Sequence, residues 1–344
     1  MGMDKRTFLK IGSRAVASAA LYPAWPISGI TTPPSGQQVL ICPRRIKNGD
    51  TVGVITPSSP LVDDAGYEIA VANFNALGLR IKWGINVGKK YGYLAGTDEE
   101  RIADIHHMFS DPEVKAIVCL RGGSGAARLL DRLDYQLIRH NPKIFMGYSD
   151  ITAFHQAMHT QTGLITFHGA VANSRWTPMV FNQFKQLFFE GKSPTYTTDP
   201  QSVQTITPGI AEGTLLGGNL TVLTGIAGSR YFPDFENGIL FLEEIGEEPY
   251  RIDRMFSQLA LTGVLKKIKG FIFGKCVDCT PANPRASLTV EQILRDYIRP
   301  LGIPAFRGAL IGHIDEQLIL PVGAKVRIDA TRGTIGIVGN IFET

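Results

Sequence analysis

The chain has 344 residues, of which 44% are hydrophobic and 19% charged, with a formal net charge of +4. That length predicts one large or two medium domains that bury enough apolar surface to fold without disulfide or metal staples. The small, scattered charge excludes a nucleic-acid stripe or a polybasic membrane patch, so neither nucleic acid nor a membrane surface is an expected partner.

Residues 1–45 differ from the rest. Met3-Asp4-Lys5-Arg6-Thr7-Phe8-Leu9-Lys10 leads into small apolar residues from Ile11 to Ala24, then into a Pro/Gly/Ser/Thr segment ending near Gln38. This reads as an export signal and a tether. Lys5-Arg6-x-Phe8-Leu9-Lys10 is similar to a twin-arginine signal with Lys for the first Arg, which predicts a periplasmic protein. The alternative is a helix packed on the domain of a cytoplasmic protein. Arg14 and Pro23 interrupt the apolar stretch, which is too short to span a bilayer, and no later segment reaches that length.

From Asp50, β-rich runs alternate with helical ones. Thr51 to Thr56 predicts a strand, and Tyr67, Ala70, Val71, Phe74 and Leu77 recur at helical spacing. Leu79 to Ile85 predicts the next strand. Thr97-x-x-Glu100 is a capping box that opens a helix with the stripe Ile102, Ile105 and Phe109. Lys115 to Leu120 follows as a strand, Ala126 to Leu133 as a helix, Lys143 to Gly147 as a strand, and Ile151, Phe154 and Met158 as one face of a further helix. Such βα repeats predict an α/β domain over residues 46–205, a mostly parallel sheet with helices on both faces. Periodicity fades from Gly191 to Gly213, which reads as an interdomain connection. Strand-like runs at Gly238 to Glu244 and Lys267 to Lys275, with a closing hairpin of Lys325 to Ile328 and Thr334 to Val338, predict a smaller β-rich α+β domain over residues 206–344.

Ligands bind outside the carboxyl ends of strands in open α/β sheets. Two sequences occupy such ends. Arg121-Gly122-Gly123-Ser124-Gly125 is a glycine turn whose N–H groups suit a phosphate or an oxyanion, or simply tight packing. Gly147-Tyr148-Ser149-Asp150 is a strand-to-helix corner where Ser149 either caps the helix or stands exposed as a nucleophile. Among seven histidines, His313 falls in a loop between strand-like runs, and His168 ends the run Leu164 to Phe167 where it can reach a cleft. His155 and His159 share a helix face, but without the Glu of an HExxH motif they predict a solvated or half-buried face. Glu243-Glu244 either covers a solvated strand end or supplies a carboxylate that orients a histidine. Of four cysteines, Cys42 approaches the first strand, Cys119 reads as buried, and Cys276-x-x-Cys279 lacks the partners of a zinc site. That pair reads as packing residues, although export would allow it to oxidise. No metal and no cofactor are expected.

Seven blocks in order carry a resemblance: Tyr93-Leu94-Ala95-Gly96-Thr97, Arg121-Gly122-Gly123, Gly147-Tyr148-Ser149-Asp150-Ile151-Thr152-Ala153, Gly217-Gly218-Asn219-Leu220-Thr221, Phe241-Leu242-Glu243-Glu244-Ile245-Gly246-Glu247, Tyr250-Arg251-Ile252-Asp253-Arg254 and Gly312-His313. From about Asp50 to Ile337 the chain resembles the LD-carboxypeptidase family of serine peptidases, the murein tetrapeptide carboxypeptidases, which includes the microcin C immunity peptidases. The resemblance implies a triad of Ser149, His313 and Glu243, an oxyanion hole from the N–H groups of Gly123 and Asp150, and a homodimer. It implies release of terminal D-alanine from a murein tetrapeptide, with Arg121, Ser124 and His168 as candidate substrate contacts. Ser124 stands where the family often has Tyr, and Gln317 where an Asn commonly follows the histidine. Hydrolysis of aminoacyl-nucleotides or other acyl amides, and non-catalytic binding of cell-wall peptides, are the competing expectations.

Overall fold

The computed structural model describes residues 39–198 and 202–343, so the export-signal reading of the N-terminus lies outside it. The first half builds β1 (Thr51–Ile55), α1 (Ala65–Ala76), β2 (Arg80–Trp83), α2 (Asp98–Ser110), β3 (Val114–Cys119), α3 (Tyr135–His140), β4 (Ile144–Gly147), α4 (Thr152–Thr162), β5 (Thr166–His168) and α5 (Pro178–Phe184). Both halves of the predicted capping box form at Thr97 and Glu100, which satisfies the first turn of α2. The helix expected over 126–133 is instead a 3-10 turn, Ala127–Arg132. It cannot lengthen, because the Asp134 side chain already accepts from the Leu137 N–H and starts α3.

Six strands form the first sheet in the order β12-β5-β4-β3-β1-β2, with β1 to β5 mutually parallel. Its strands are apolar on both faces because both are covered. Val52, Val54, Ala116, Val118, Ile144 and Met146 pack with Phe74 of α1 and Phe184 of α5. The intervening Ile117, Cys119 and Phe145 pack with Ile105 and Phe109 of α2 and with Phe154 and Met158 of α4. The two-residue period of the strands thus separates two helical layers.

The second half contains β6 (Thr195–Thr197), β7 (Gln204–Thr207), β8 (Ile210–Asn219), α6 (Leu220–Gly225), β9 (Ile239–Ile245), α7 (Pro249–Leu261), α8 (Val264–Lys267), β10 (Gly270–Val277), α9 (Val290–Ile298), β11 (Ala305–Arg307), β12 (Leu320–Val322), β13 (Lys325–Asp329) and β14 (Thr334–Ile337). Eight strands form the order β6-β14-β13-β8-β9-β10-β11-β7. The centre, β8 to β11, is parallel, while the hairpin β13-β14 and the edges pair antiparallel. The centre is parallel because α7 and α9 lie in the connections that return the chain to the same end, and their apolar faces, Ile252, Phe256, Ile293 and Leu294, share the core of the sheet.

Two boundaries differ from expectation. The weakly periodic stretch after Gly191 is not a plain connection: it supplies the edge strands β6 and β7, which are too exposed to show a clean apolar pattern. The C-terminal stretch does not stay in the second domain. β12 pairs with β5 as an edge of the first sheet, and Ile341 and Phe342 complete the first core. Among the described residues no helix is long and apolar enough to cross a membrane.

The halves meet where β8 ends. A Cβ on Gly217 would stand 1.8 Å from the Phe241 carbonyl oxygen, and one on Gly218 would stand 2.4 Å from Thr152 Oγ1. Both glycines also have positive φ, 136° and 139°. Only glycine tolerates this combination. Asn219 N–H then donates to Thr152 Oγ1 at 3.0 Å, and Gln156 Nε2 to the Gly217 carbonyl at 2.7 Å. Gly217→Ala should therefore cost about 3 kcal/mol or more through overpacking and backbone strain. Urea unfolding measures it, and a loss below about 1 kcal/mol would contradict the close approach.

Candidate active site

Ser149 is one of three non-glycine residues with positive φ among those described, at 64°. Strain of that kind needs surrounding structure to hold it. Here the corner between β4 and α4 passes through a 3-10 turn, Ser149–Ile151, that runs directly into the helix. The buried Asp150 carboxylate accepts from the Ala126 N–H at 2.8 Å, which ties the corner to the glycine turn after β3. Burial pushes the pKa of Asp150 up, against the opposing effect of that hydrogen bond. A Cβ on Gly122 would lie 3.3 Å from Ser149 Oγ, so the glycine turn reaches the serine itself. Gly123, with φ of 124°, lies against the side chain of Ser59. Asp150 is in the first turn of the helical run, where backbone N–H groups have no intrahelical acceptor.

β9 ends in adjacent carboxylates that point to opposite sides. Neither is solvated: both are buried. Glu244 accepts from Asn219 Nδ2, from the Thr221 N–H and hydroxyl, and from the Ile245 N–H, at 2.8–3.0 Å. Burial raises its pKa and these donors pull it back. Glu243 Oε2 instead meets His313 Nδ1 at 2.8 Å. A carboxylate accepts, so Nδ1 holds the proton and the neutral ring keeps its lone pair on Nε2. Gly312 makes this possible, since its φ is 117° and a Cβ there would lie 2.8 Å from Glu243 Oε2. The Lys275 N–H holds the Ile311 carbonyl and the Leu318 N–H the Leu310 carbonyl, which fastens the His313 loop on either side. The Tyr148 ring packs edge-on against His313 with centroids 4.9 Å apart.

Ser149, His313, Arg121, Gly122, Gly123 and Tyr148 line one cleft of about 630 Å³. Asp63, Asn173 and Ser174 also line it and escaped the sequence reading. Their signal is positional: Asp63 follows β1, and Asn173 and Ser174 follow β5, at the same carboxyl edge of the sheet. Two proposed contacts are not in the cleft. Ser124 is exposed outside it, with its N–H donated to Ser59 Oγ. His168 is fully buried, edge-on to Phe241 and Tyr148, because β5 lies inside the sheet between β4 and β12. Gln317 is buried too, and its Nε2 donates to the Ile314 carbonyl within the His313 loop.

His155 and His159 are also buried rather than solvated, since α4 is covered by the sheet on one side and by the second domain on another. His155 bridges the Gly147 carbonyl and Thr166 Oγ1, both at 2.9 Å, and so supports the corner from behind. Cys276 and Cys279 form a disulfide at the end of β10 instead of packing as thiols, whereas Cys119 is a buried free thiol. Among the described residues no group of three or more His, Cys, Asp and Glu is arranged to hold a metal ion.

A serine at a strained strand-to-helix corner, a glycine turn beside it and a Glu-His pair on the same cleft form the layout of a serine hydrolase on a two-domain α/β fold. The model of the LD-carboxypeptidase N-terminal domain matches residues 52–169, and that of the C-terminal domain matches residues 212–328. A probable murein peptide carboxypeptidase of Bacillus subtilis is 42% identical over 306 residues, covering 88% of this chain and 95% of its own. The solved structure of the microcin C7 self-immunity protein MccF without ligand superposes with a TM-score of 0.81 at 28% identity, covering 88% of this chain and all of that one. That of a muramoyltetrapeptide carboxypeptidase from Oxalobacter formigenes gives 0.73 at 29%, covering 83% and 97%. The chain belongs to the LD-carboxypeptidase family.

Burial holds His155 and His159 at a pKa of about 4 and His168 well below its ordinary value. Unfolding at mildly acid pH therefore takes up protons. The stabilisation is complete above the unfolded histidine pKa of about 6.5 and is lost as pH falls toward 4, at about 1.4 kcal/mol per unit per histidine. Urea unfolding between pH 7 and pH 4 should show stability falling steeply across this window; a flat profile from pH 6.5 to 5 would contradict burial as neutral rings.

Proposed function

We propose that Ser149, His313 and Glu243 hydrolyse the L,D peptide bond that precedes the terminal D-alanine of a murein tetrapeptide. The observation that carries the reading is the 2.8 Å Glu243–His313 hydrogen bond on the cleft that Ser149 also lines. Ser149 Oγ attacks the scissile carbonyl while His313 Nε2 takes its proton. The N–H groups of Gly123 and Asp150 hold the oxyanion, each contributing about 3 kcal/mol. His313 returns the proton to the leaving amine, then activates the water that hydrolyses the acyl-enzyme, and Glu243 keeps its ring in one tautomer throughout. Arg121 retains guanidinium donors after Nη1 bonds the Pro60 carbonyl, and it receives the carboxylate of the departing D-alanine.

The relatives' names supply the substrate class: murein peptide for the Bacillus subtilis protein and muramoyltetrapeptide for the Oxalobacter formigenes structure. A second reading, cleavage of aminoacyl-nucleotides, draws on a solved MccF complex with aspartyl sulfamoyl adenosine, at 28% identity. The higher identity to the murein peptide carboxypeptidase favours the first. Export by the Lys5-Arg6 signal would bring the protein to its substrate outside the cytoplasm, and the family resemblance points to a homodimer.

Purified protein incubated with L-Ala-D-Glu-meso-diaminopimelate-D-Ala should release D-alanine, and Ser149→Ala should lower the rate roughly ten-thousand-fold. Glu243→Gln should also lower kcat, with KM little changed. Absence of release by the wild type would overturn the substrate, and retained turnover in Ser149→Ala would remove that serine from the mechanism.

A further inference from the structure

Besides Tyr148, which packs on His313, three titratable side chains line the cleft: Asp63, Arg121 and His313. The proposed reaction occupies the last two. Asp63 is left, an exposed carboxylate on the same cleft with no part in the chemistry. Its charge is not used by the fold either. Asp98, Glu100 and Asp111, which lie on neighbouring segments at α2, are each engaged by Lys or Arg, whereas no ion pair among the described residues includes Asp63.

The loop that presents Asp63 is firmly built. Arg101 Nη1 donates to the Pro57 carbonyl at 2.7 Å and Arg121 Nη1 to the Pro60 carbonyl at 2.7 Å. The Ala95 N–H holds the Ser58 carbonyl, the Ser59 N–H reaches the Gly122 carbonyl, and the Ser124 N–H reaches Ser59 Oγ. Leu61 is buried in the first core, two residues before Asp63. The stretch that leads into Asp63 is thereby tied to the glycine turn and to α2, which lowers the ordering cost of presenting Asp63 on the cleft wall.

We infer that Asp63 recognises the free amino group on the side chain of the residue whose carbonyl Ser149 attacks. The inference rests on the peptidase reading above. Asp63 lines the cleft that Ser149 also lines, and a long side chain on the acyl-side residue can carry a terminal group to that wall. In murein tetrapeptides that residue is lysine or diaminopimelate, and both carry an amine at the end of a flexible stem. A carboxylate binds an ammonium through charge-assisted hydrogen bonds. An acylated amine offers only a neutral, bulkier amide. Since that amine is the group through which one stem peptide is joined to another, Asp63 directs the enzyme to stems whose amine is still free. Lysine and diaminopimelate are read through the same atom.

D-alanine release is measured from L-Ala-D-Glu-L-Lys-D-Ala and from its Nε-acetyl-lysine counterpart, each with wild type, Asp63→Asn and Asp63→Glu. The wild type should prefer the free amine by roughly fivefold to tenfold in kcat/KM, mostly through KM. Asp63→Asn should lower the free-amine value to that of the acetylated peptide and leave the acetylated value unchanged, which also shows that the variant is folded. Asp63→Glu should keep the preference. Equal cleavage of both peptides by the wild type, or an equal loss on both in Asp63→Asn, would overturn the inference while leaving the peptidase reading standing. No release from these peptides or from the diaminopimelate tetrapeptide would remove both readings, whereas release from the diaminopimelate peptide alone would overturn the inference that the two residues are read through the same atom.

Discussion

The cleft depends on how closely the end of β8 lies against the start of α4. Gly217 and Gly218 have no side chains to keep the strand away from Phe241 and Thr152, and their φ values are ones other residues rarely adopt. That contact brings two separately cored layers together. Asn219 is the hinge of the arrangement: its N–H meets Thr152 at the start of α4, its side chain caps α6 by accepting from the Val222 N–H, and its Nδ2 donates to Glu244. Glu244 in turn fixes the end of β9, and the next carboxylate on that strand is the one that holds His313. The proposed nucleophile comes from the first domain and its base and acid from the second, so the domain contact is itself a part of the site.

Polarity is divided sharply across the corner. The rings of His155 and His168 are buried, and burial pushes their pKa values down, helped at His168 by the neighbouring His155 and His313. His313 is only partly covered and carries a carboxylate on Nδ1. In the proposed reaction an imidazolium on His313 is stabilised by that carboxylate, whereas the buried rings have no anion to offset a charge and stay neutral. Three histidines lie close together, yet the environment leaves one of them suited to moving a proton.

Much of this was readable from residue order. The βα alternation predicted the parallel first sheet, and Thr97 with Glu100 predicted the start of α2, because caps and apolar periods are local. Gly147 to Asp150 was ambiguous alone: a serine at a helix start is usually a cap, and only the ordered blocks of the family resemblance separated the readings. Long-range features were not readable. Nothing local in Leu320 to Val322 announces an edge strand of the first sheet, and His168 ends a strand whose burial depends on β4 and on the distant β12. The expected plain connection after Gly191 became two edge strands because such strands bury one side chain in two or fewer. Asp63 was missed because a carboxylate in a loop has no pattern; it matters only once the cleft exists.

Labelling with a fluorophosphonate, which reports an activated serine without reference to any peptide, tests the central claim that the domain contact assembles the site. Mass spectrometry should find the label on Ser149 in the wild type. In Gly218→Ala, whose added methyl would press on Thr152, the folded protein should react slower by on the order of tenfold to a hundredfold. Labelling at an unchanged rate in Gly218→Ala, or no label on Ser149 in the wild type, would contradict the account.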